Sequence, residues 1–425
     1  MKLSDIKDHH DFIEYSKEKH AHSRAMVRFM DYYGSYAHYM EENHVKGNHK
    51  AVYSMAYYAS SWEGPLIYAL GYVPFTYGEL GRLSSEATMN LAEDYYQYPS
   101  ETCSMVKCTV SQWHLRRNDM KNVRRILGSN AICEPYNLAW ETARSLGYDI
   151  HTVDVLYRAR HAGEERVERL VDFAVEELRG VAEWLTGSRE IDEAKLTGEI
   201  RRRNRIASKV RKILDLRLKH PHYIRSHAAV FMINLGVPSY LGRPQEFEEV
   251  LDELTEELEN APVDQKEIDR VVPLIWVGGT GQGLSIYETI DDGGGALLGF
   301  RSAPNQLIRE DIPPLEALAR YACGSQRNNA EVFMRQSVER EVERVKAKGL
   351  VLYNYIGCSY ASVDREMLAA HFRKQGVPCI TLEGMFRIGE PVGQLVTRVN
   401  AFIEMLAGRS ILRSDGHENE CLKSA

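Results

Sequence analysis

Apolar positions along this chain follow two rhythms, and the places where one gives way to the other mark its elements. From Ala162 to about Leu218 the spacing is helical, with Val167, Leu170, Val171, Phe173, Ala174 and Leu178 forming one stripe in a long charged segment. Elsewhere the apolar runs are short and bounded by glycine or proline. Residues 350–356 read as a buried strand closing on Gly357, and residues 271–278 and 377–382 as two more. Residues 72–75, 123–127, 131–133 and 150–155 also read as extended. Helices are predicted at 136–146, through Val338, Val342 and Val345, and through Met367, Leu368 and His371.

Strands alternating with helices predict an α/β fold: two Rossmann-like domains with short parallel sheets, plus helical N-terminal and middle segments. The expected division is an N-terminal helical segment at 1–50, a first α/β domain at 51–160 and a helical segment at 161–265. A second α/β domain follows at 266–410, then a polar tail at 411–425. Ligands in such sheets gather at the carboxyl ends of the strands.

Composition narrows the function classes. At 425 residues the chain exceeds one ordinary core. With 44% hydrophobic and 27% charged residues it reads as globular, and a net charge of -7 gives no basic excess for nucleic acid. No apolar run reaches the roughly 18–20 residues of a membrane span, and residues 1–10 lack the apolar core of a secretory signal. A cytoplasmic enzyme is the expectation. Seven cysteines with no Cys-x-x-Cys pair make neither a disulfide framework nor a local zinc signature. No His-Glu-x-x-His or Gly-x-Ser-x-Gly motif occurs.

Three cysteines share a setting. Cys103, Cys133 and Cys358 each stand where turn or strand residues give way to a helix-type run. A thiolate there would face helix N-terminal N–H groups, which favour an anionic centre. Three such sulfurs could share one iron–sulfur cluster with an iron left open, while each taken alone also reads as a small buried hydrophobe. Cys323, ahead of a predicted helix, is the best fourth ligand. Cys108 and Cys379 fall within predicted elements, and Cys421 lies in the tail. Arg201, Arg202 and Arg203 read as a solvated helix face, with contact to a CoA phosphate as the alternative. The glycine-rich stretch 279–283 reads as a tight turn rather than a nucleotide loop, since neither the dinucleotide fingerprint nor a P-loop lysine is present.

The closing stretch resembles the 2-hydroxyacyl-CoA dehydratase/benzoyl-CoA reductase family. The likeness is carried by residues 349–358, 376–383 and 393–404, and by the Glu101-Thr102-Cys103 and Cys133-Glu134-Pro135 contexts. The resemblance implies a [4Fe–4S] cluster held by Cys103, Cys133 and Cys358 in one subunit of an oxygen-sensitive, radical enzyme of anaerobes. Its implied partners are a second homologous subunit and a separate ATP-hydrolysing iron–sulfur activator that injects one electron. The implied reaction is loss of water from an (R)-2-hydroxyacyl-CoA through a ketyl radical. ATP-dependent dearomatisation of benzoyl-CoA is the second reading, and a double-cubane or electron-transfer protein of the same fold the third. One departure concerns the family's Pro-Glu-Glu-Leu stretch: Leu66 aligns with its Leu, and Glu63-Gly64-Pro65 takes the preceding positions. Glu63 is the candidate proton donor or base, with a surface carboxylate as the other reading. Gly384 stands where the family often carries Asp.

Overall fold

The computed structural model describes residues 6, 9–45, 50–54, 62–76, 86–118, 123–130, 133–154, 161–278, 284–324, 331–385 and 393–414. The chain opens with helices α1 (His9–Lys19), α2 (Arg24–Gly34) and α3 (Tyr36–Met40), then a π-helical turn at Glu41–Val45. A first α/β stretch follows, comprising β1 (Ala51–Ser54), α4 (Glu63–Ala69), β2 (Val73–Thr76), α5 (Glu86–Asp94), α6 (Ser104–Arg116), β3 (Arg125–Ser129), α7 (Glu134–Ser145) and β4 (Asp149–Val153). The helical middle holds α8 (Glu164–Thr186), α9 (Glu193–Leu216), α10 (Ser226–Phe231), α11 (Pro244–Asn260) and α12 (Gln265–Arg270). The second α/β stretch runs β5 (Val272–Gly278), α13 (Leu284–Asp292), β6 (Gly295–Phe300), α14 (Pro314–Cys323), α15 (Glu331–Val345), β7 (Gly349–Tyr355), α16 (Ser359–Lys374), β8 (Cys379–Gly384) and α17 (Gly393–Ser414).

The eight strands form two parallel four-stranded sheets of the same plan, ordered β2-β1-β3-β4 and β6-β5-β7-β8. The fold is α/β, as the alternating pattern predicts. In each sheet the chain reverses its direction of travel between the two central strands. Crevices at such switch points open at the carboxyl ends of β1 and β3, and of β5 and β7.

Burial follows the apolar rhythm with local exceptions. Val171, Ala174 and Leu178 of α8 are buried, whereas Phe173 of the same predicted stripe is 42% exposed. Asp192 caps α9 by accepting the Lys195 N–H at 3.0 Å, which fixes where that helix starts. A single apolar cluster joins the N-terminal helices, both sheets and α17, through residues such as Phe29, Ile126, Trp276 and Phe402. The two α/β stretches are therefore packed on one core, which holds their crevices in a fixed relation.

Candidate functional site

All three candidate cysteines occupy the position immediately before a helix. Cys103 precedes α6, Cys133 precedes α7 and Cys358 precedes α16. Two of these helix starts meet. The Ser104 N–H, the first of α6, donates to the Ile356 carbonyl at 3.2 Å. Gly357 adopts φ +82°, and a Cβ there would overlap the Glu101 carbonyl and lie 2.8 Å from the Cys103 nitrogen. Only a glycine allows the backbones to approach so closely.

The Cys103 and Cys358 thiols consequently lie within hydrogen-bonding reach of each other. The Cys358 thiol, then burial, pushes the Cys103 thiol well above its ordinary pKa, while the facing Met105 and Val106 N–H groups pull the other way. An isolated thiolate is disfavoured there, and a bound cation would reverse that balance. Cys133 and Cys358 are half-buried against the same apolar cluster that contains Cys103. The donor set thus fits an iron–sulfur group in its chemistry and helix-terminal placement. Among the described residues, however, no three His, Cys, Asp or Glu side chains come together as a metal-binding group.

Three supporting side chains, Lys107, Asn354 and Ser362, were not singled out from the sequence. Lys107, one turn beyond Cys103, is buried and bonds both Glu93 (2.6 Å) and the Ser100 carbonyl (2.8 Å), tying down the segment that delivers Cys103. Asn354 and Ser362 both donate to the Cys358 carbonyl at 2.9 Å, fixing the first turn of α16. A polar Asn inside the otherwise apolar β7 was the available clue.

Glu63 is 2% exposed, which overturns the surface-carboxylate reading. It begins α4, whose apolar Leu66 and Ile67 are fully buried and whose Gly64 lets the Pro238 carbonyl come within 2.8 Å of where a Cβ would stand. Ser54, the last residue of β1, donates its hydroxyl to Glu63 Oε1 at 3.2 Å, and Oε2 has no partner among the described residues. Burial raises the Glu63 pKa from 4.5 to about 8 against the opposing pull of the Ser54 hydroxyl and the Trp62 and Glu63 N–H groups. Ser54 pairs in register with Leu127 of β3, the strand that leads toward Cys133. Glu63 and Cys133 therefore flank the switch point of the first sheet, and Cys358 stands at that of the second.

Other candidates separate from this centre. Cys323 ends α14 rather than preceding a helix, faces the Leu170 carbonyl at 3.6 Å and belongs to a different apolar cluster, so it does not serve as a fourth ligand here. Cys108 is buried within α6. Cys379 opens β8, with burial pushing its thiol up to about 11. Of the arginine run, Arg203 is 1% exposed and bonds the Gln306 carbonyl at 2.8 Å, contrary to the solvated reading. Arg202 pairs with Glu199 and Arg201 with Glu310. The site of a side chain on Gly384 is filled by the Tyr353 hydroxyl. The glycine-rich stretch 279–283 and Cys421 lie outside the described residues.

The family model described as 2-hydroxyglutaryl-CoA dehydratase, D-component, matches residues 64–406. The chain belongs to this dehydratase D-component family. The match runs from within α4 to within α17, taking in the whole second sheet, β2, β3 and β4 of the first, and all three helix-starting cysteines, while β1 and Glu63 lie ahead of it. It makes the protein a dehydratase-type component of an acyl-CoA enzyme, in a family associated with iron–sulfur clusters and with multi-subunit assemblies. No curated protein matches at a significant level. Among the described residues no helix is long and apolar enough to cross a membrane.

Proposed function

We propose that this chain is the iron–sulfur subunit of a 2-hydroxyacyl-CoA dehydratase, with Cys103, Cys133 and Cys358 as the ligands of a [4Fe–4S] cluster and Glu63 as its proton-transfer group. The observation that carries the reading is the Cys103–Cys358 contact at two abutting helix N-termini. When bound, the cluster supplies the single electron and the Lewis acidity that expulsion of hydroxide from an acyl-CoA α-carbon requires.

The chain's own residues account for the rest. Ser54 donates to Glu63 Oε1, and Oε2, without a partner among the described residues, is the oxygen suited to carry the acidic proton of the neutral carboxyl. With a pKa of about 8 this carboxyl is mostly protonated at neutral pH and close enough to ionisation to give the proton up. It is suited to neutralise a departing hydroxide. Lys107 and Asn354 position the segments that carry Cys103 and Cys358. The proposed assembly includes a homologous second subunit and a separate ATP-hydrolysing activator, with the chain working in the cytoplasm.

Anaerobic reconstitution with iron and sulfide tests this. About four irons per chain are expected, with C103S, C133S and C358S each losing most of them. An (R)-2-hydroxyacyl-CoA should be dehydrated when activator, second subunit and ATP are present. Iron content near eight, or turnover of benzoyl-CoA instead, would replace the reading with one of its rivals.

A further inference from the structure

The two edges of the second sheet are finished differently. On β6 every residue is buried, and its edge carbonyls are taken from within: Arg217, fully buried, holds the Leu297 carbonyl at 2.7 Å, and His222 holds that of Gly295 at 2.8 Å. On β8, Cys379 and Thr381 are half-buried and Glu383 is exposed. Leu350 donates to the Pro378 carbonyl and Ile356 to that of Gly384, so residues of that parity face β7. Cys379, Thr381 and Glu383 therefore direct their backbone groups outward. Among the described residues two side chains cover them, Arg373 of α16 on the Cys379 carbonyl (3.3 Å) and Arg398 of α17 on that of Thr381 (2.6 Å).

A groove of about 760 Å³ runs along this edge, walled by Arg373 and Arg398 with Ile380, Phe402 and Met405 as its apolar lining. Of the eleven large apolar side chains exposed among the described residues, five lie between Ile356 and Met405: Ile356, Val363, Met367, Met385 and Met405. An open strand edge beside an apolar groove is a template for another strand.

We infer that the β8 edge joins this protein to a second copy of itself, through antiparallel β8–β8 pairing about a two-fold axis at Thr381. Charge selects that occupant. The amino end of β8 is flanked by exposed Arg373 and Lys374. At its carboxyl end Glu383 and Glu366 share the guanidinium of Arg365, so the described charges there are net negative. A two-fold axis sets Cys379 opposite Glu383 and Thr381 opposite its own copy, so basic and acidic ends meet twice. The outward parity makes both positions hydrogen-bonded pairs. Arg373 exchanges the Cys379 carbonyl for the carboxylate of Glu383 on the second copy, and the outward carbonyls of Cys379 and Thr381 gain N–H donors. Cys358 follows β7, one strand in from this edge, and stays outside the pairing.

Sedimentation of the purified full chain at micromolar concentration reads the outcome. A dimer is expected, and R373E should weaken it at least tenfold, because an isologous contact counts every substitution twice. The charge swap R373E/E383R should restore it. As an independent readout, amide exchange at Thr381 should slow as protein concentration rises, in a sample whose far-ultraviolet circular dichroism matches wild type. A monomer throughout, or a dimer indifferent to R373E and to the swap, overturns the inference.

Discussion

Glu63 and Glu288 are both almost wholly removed from solvent, and their carboxyls behave in opposite ways. Glu288, on α13, accepts from the Tyr15 hydroxyl at 2.8 Å and from Arg225 at 2.5 Å, and bonds His227 Nδ1 at 2.7 Å. His227 and Arg225 outweigh its burial and hold it well below the usual carboxylate range. The network continues through His227 Nε2 to Ser16 and from the Ser16 carbonyl to His20, tying α1 to α10 and α13. Burial and His227 press the His20 pKa down to about 3, so that ring stays neutral. The Ser16–His227–Glu288 order has the connectivity of a hydrolytic triad, yet all three side chains are sealed in, and the arrangement acts as a clamp. Among the described residues Glu63 receives one side-chain donor, and its second oxygen, at a sheet switch point, has no partner. A buried acid ringed with donors is architecture, whereas one left neutral beside a crevice is available for chemistry.

The largest effect should come from breaking the clamp. Glu288→Ala leaves Arg225 and His227 facing an emptied site and is expected to cost about 3–5 kcal/mol by urea denaturation. A loss under about 1 kcal/mol would show that water replaces the carboxylate and that the two regions differ less than their geometry says.

The next test reads Glu63 through linkage. Unfolded glutamate titrates near 4.5 and the folded residue near 8, so between those values the folded protein holds one proton more. The contribution is fully present below pH 4.5 and is lost as pH rises through about 8, reaching on the order of 3 kcal/mol by pH 7. Glu63→Gln carries no proton to lose. The difference in stability between wild type and E63Q should therefore shift in favour of E63Q from pH 4.5 to 8, and the variant should lose turnover while keeping its iron. Parallel pH curves for the two proteins would count against a raised pKa.

How much of this was legible in the sequence depended on strand length and on partners. β5 and β7, seven residues each, announced themselves as apolar runs, and all three cysteine junctions were visible as changes of rhythm. β1, four residues long, and β6, with its two glycines, gave too little pattern to stand out. The burial of Glu63 was not legible, because its partner Ser54 sits on a separate element, β1, too short to stand out in the sequence. Arg203 misled for the same reason: its charge run suggests solvent, and its partners, Gln306 and Tyr321, lie more than a hundred residues away. The Glu288 clamp combines residues from three separate helices and leaves no local trace.

A smaller effect should follow at the junction of the two α/β stretches. Gly357→Ala puts a Cβ into the backbone at Cys103 in a left-handed conformation, at a cost of about 1–3 kcal/mol. The diagnostic outcome is an iron loss larger than that destabilisation alone explains, because the substitution pushes Cys358 away from Cys103. Full iron retention would mean that the close approach is incidental to the cysteines.

The smallest effect is the most specific. Ser54→Ala removes the one side-chain donor to Glu63 among the described residues and should cost about 1 kcal/mol. That hydrogen bond favours the ionised carboxylate, so its loss moves the Glu63 pKa upward from about 8. The pH at which the stability difference between S54A and S54A/E63Q levels off should move up with it. The basic limb of the turnover profile should shift in the same direction, since the acid form persists to higher pH. A role limited to packing would lower stability at every pH and leave the limb where it was, so the displacement of the limb separates a carboxyl tuned by Ser54 from one merely covered by it.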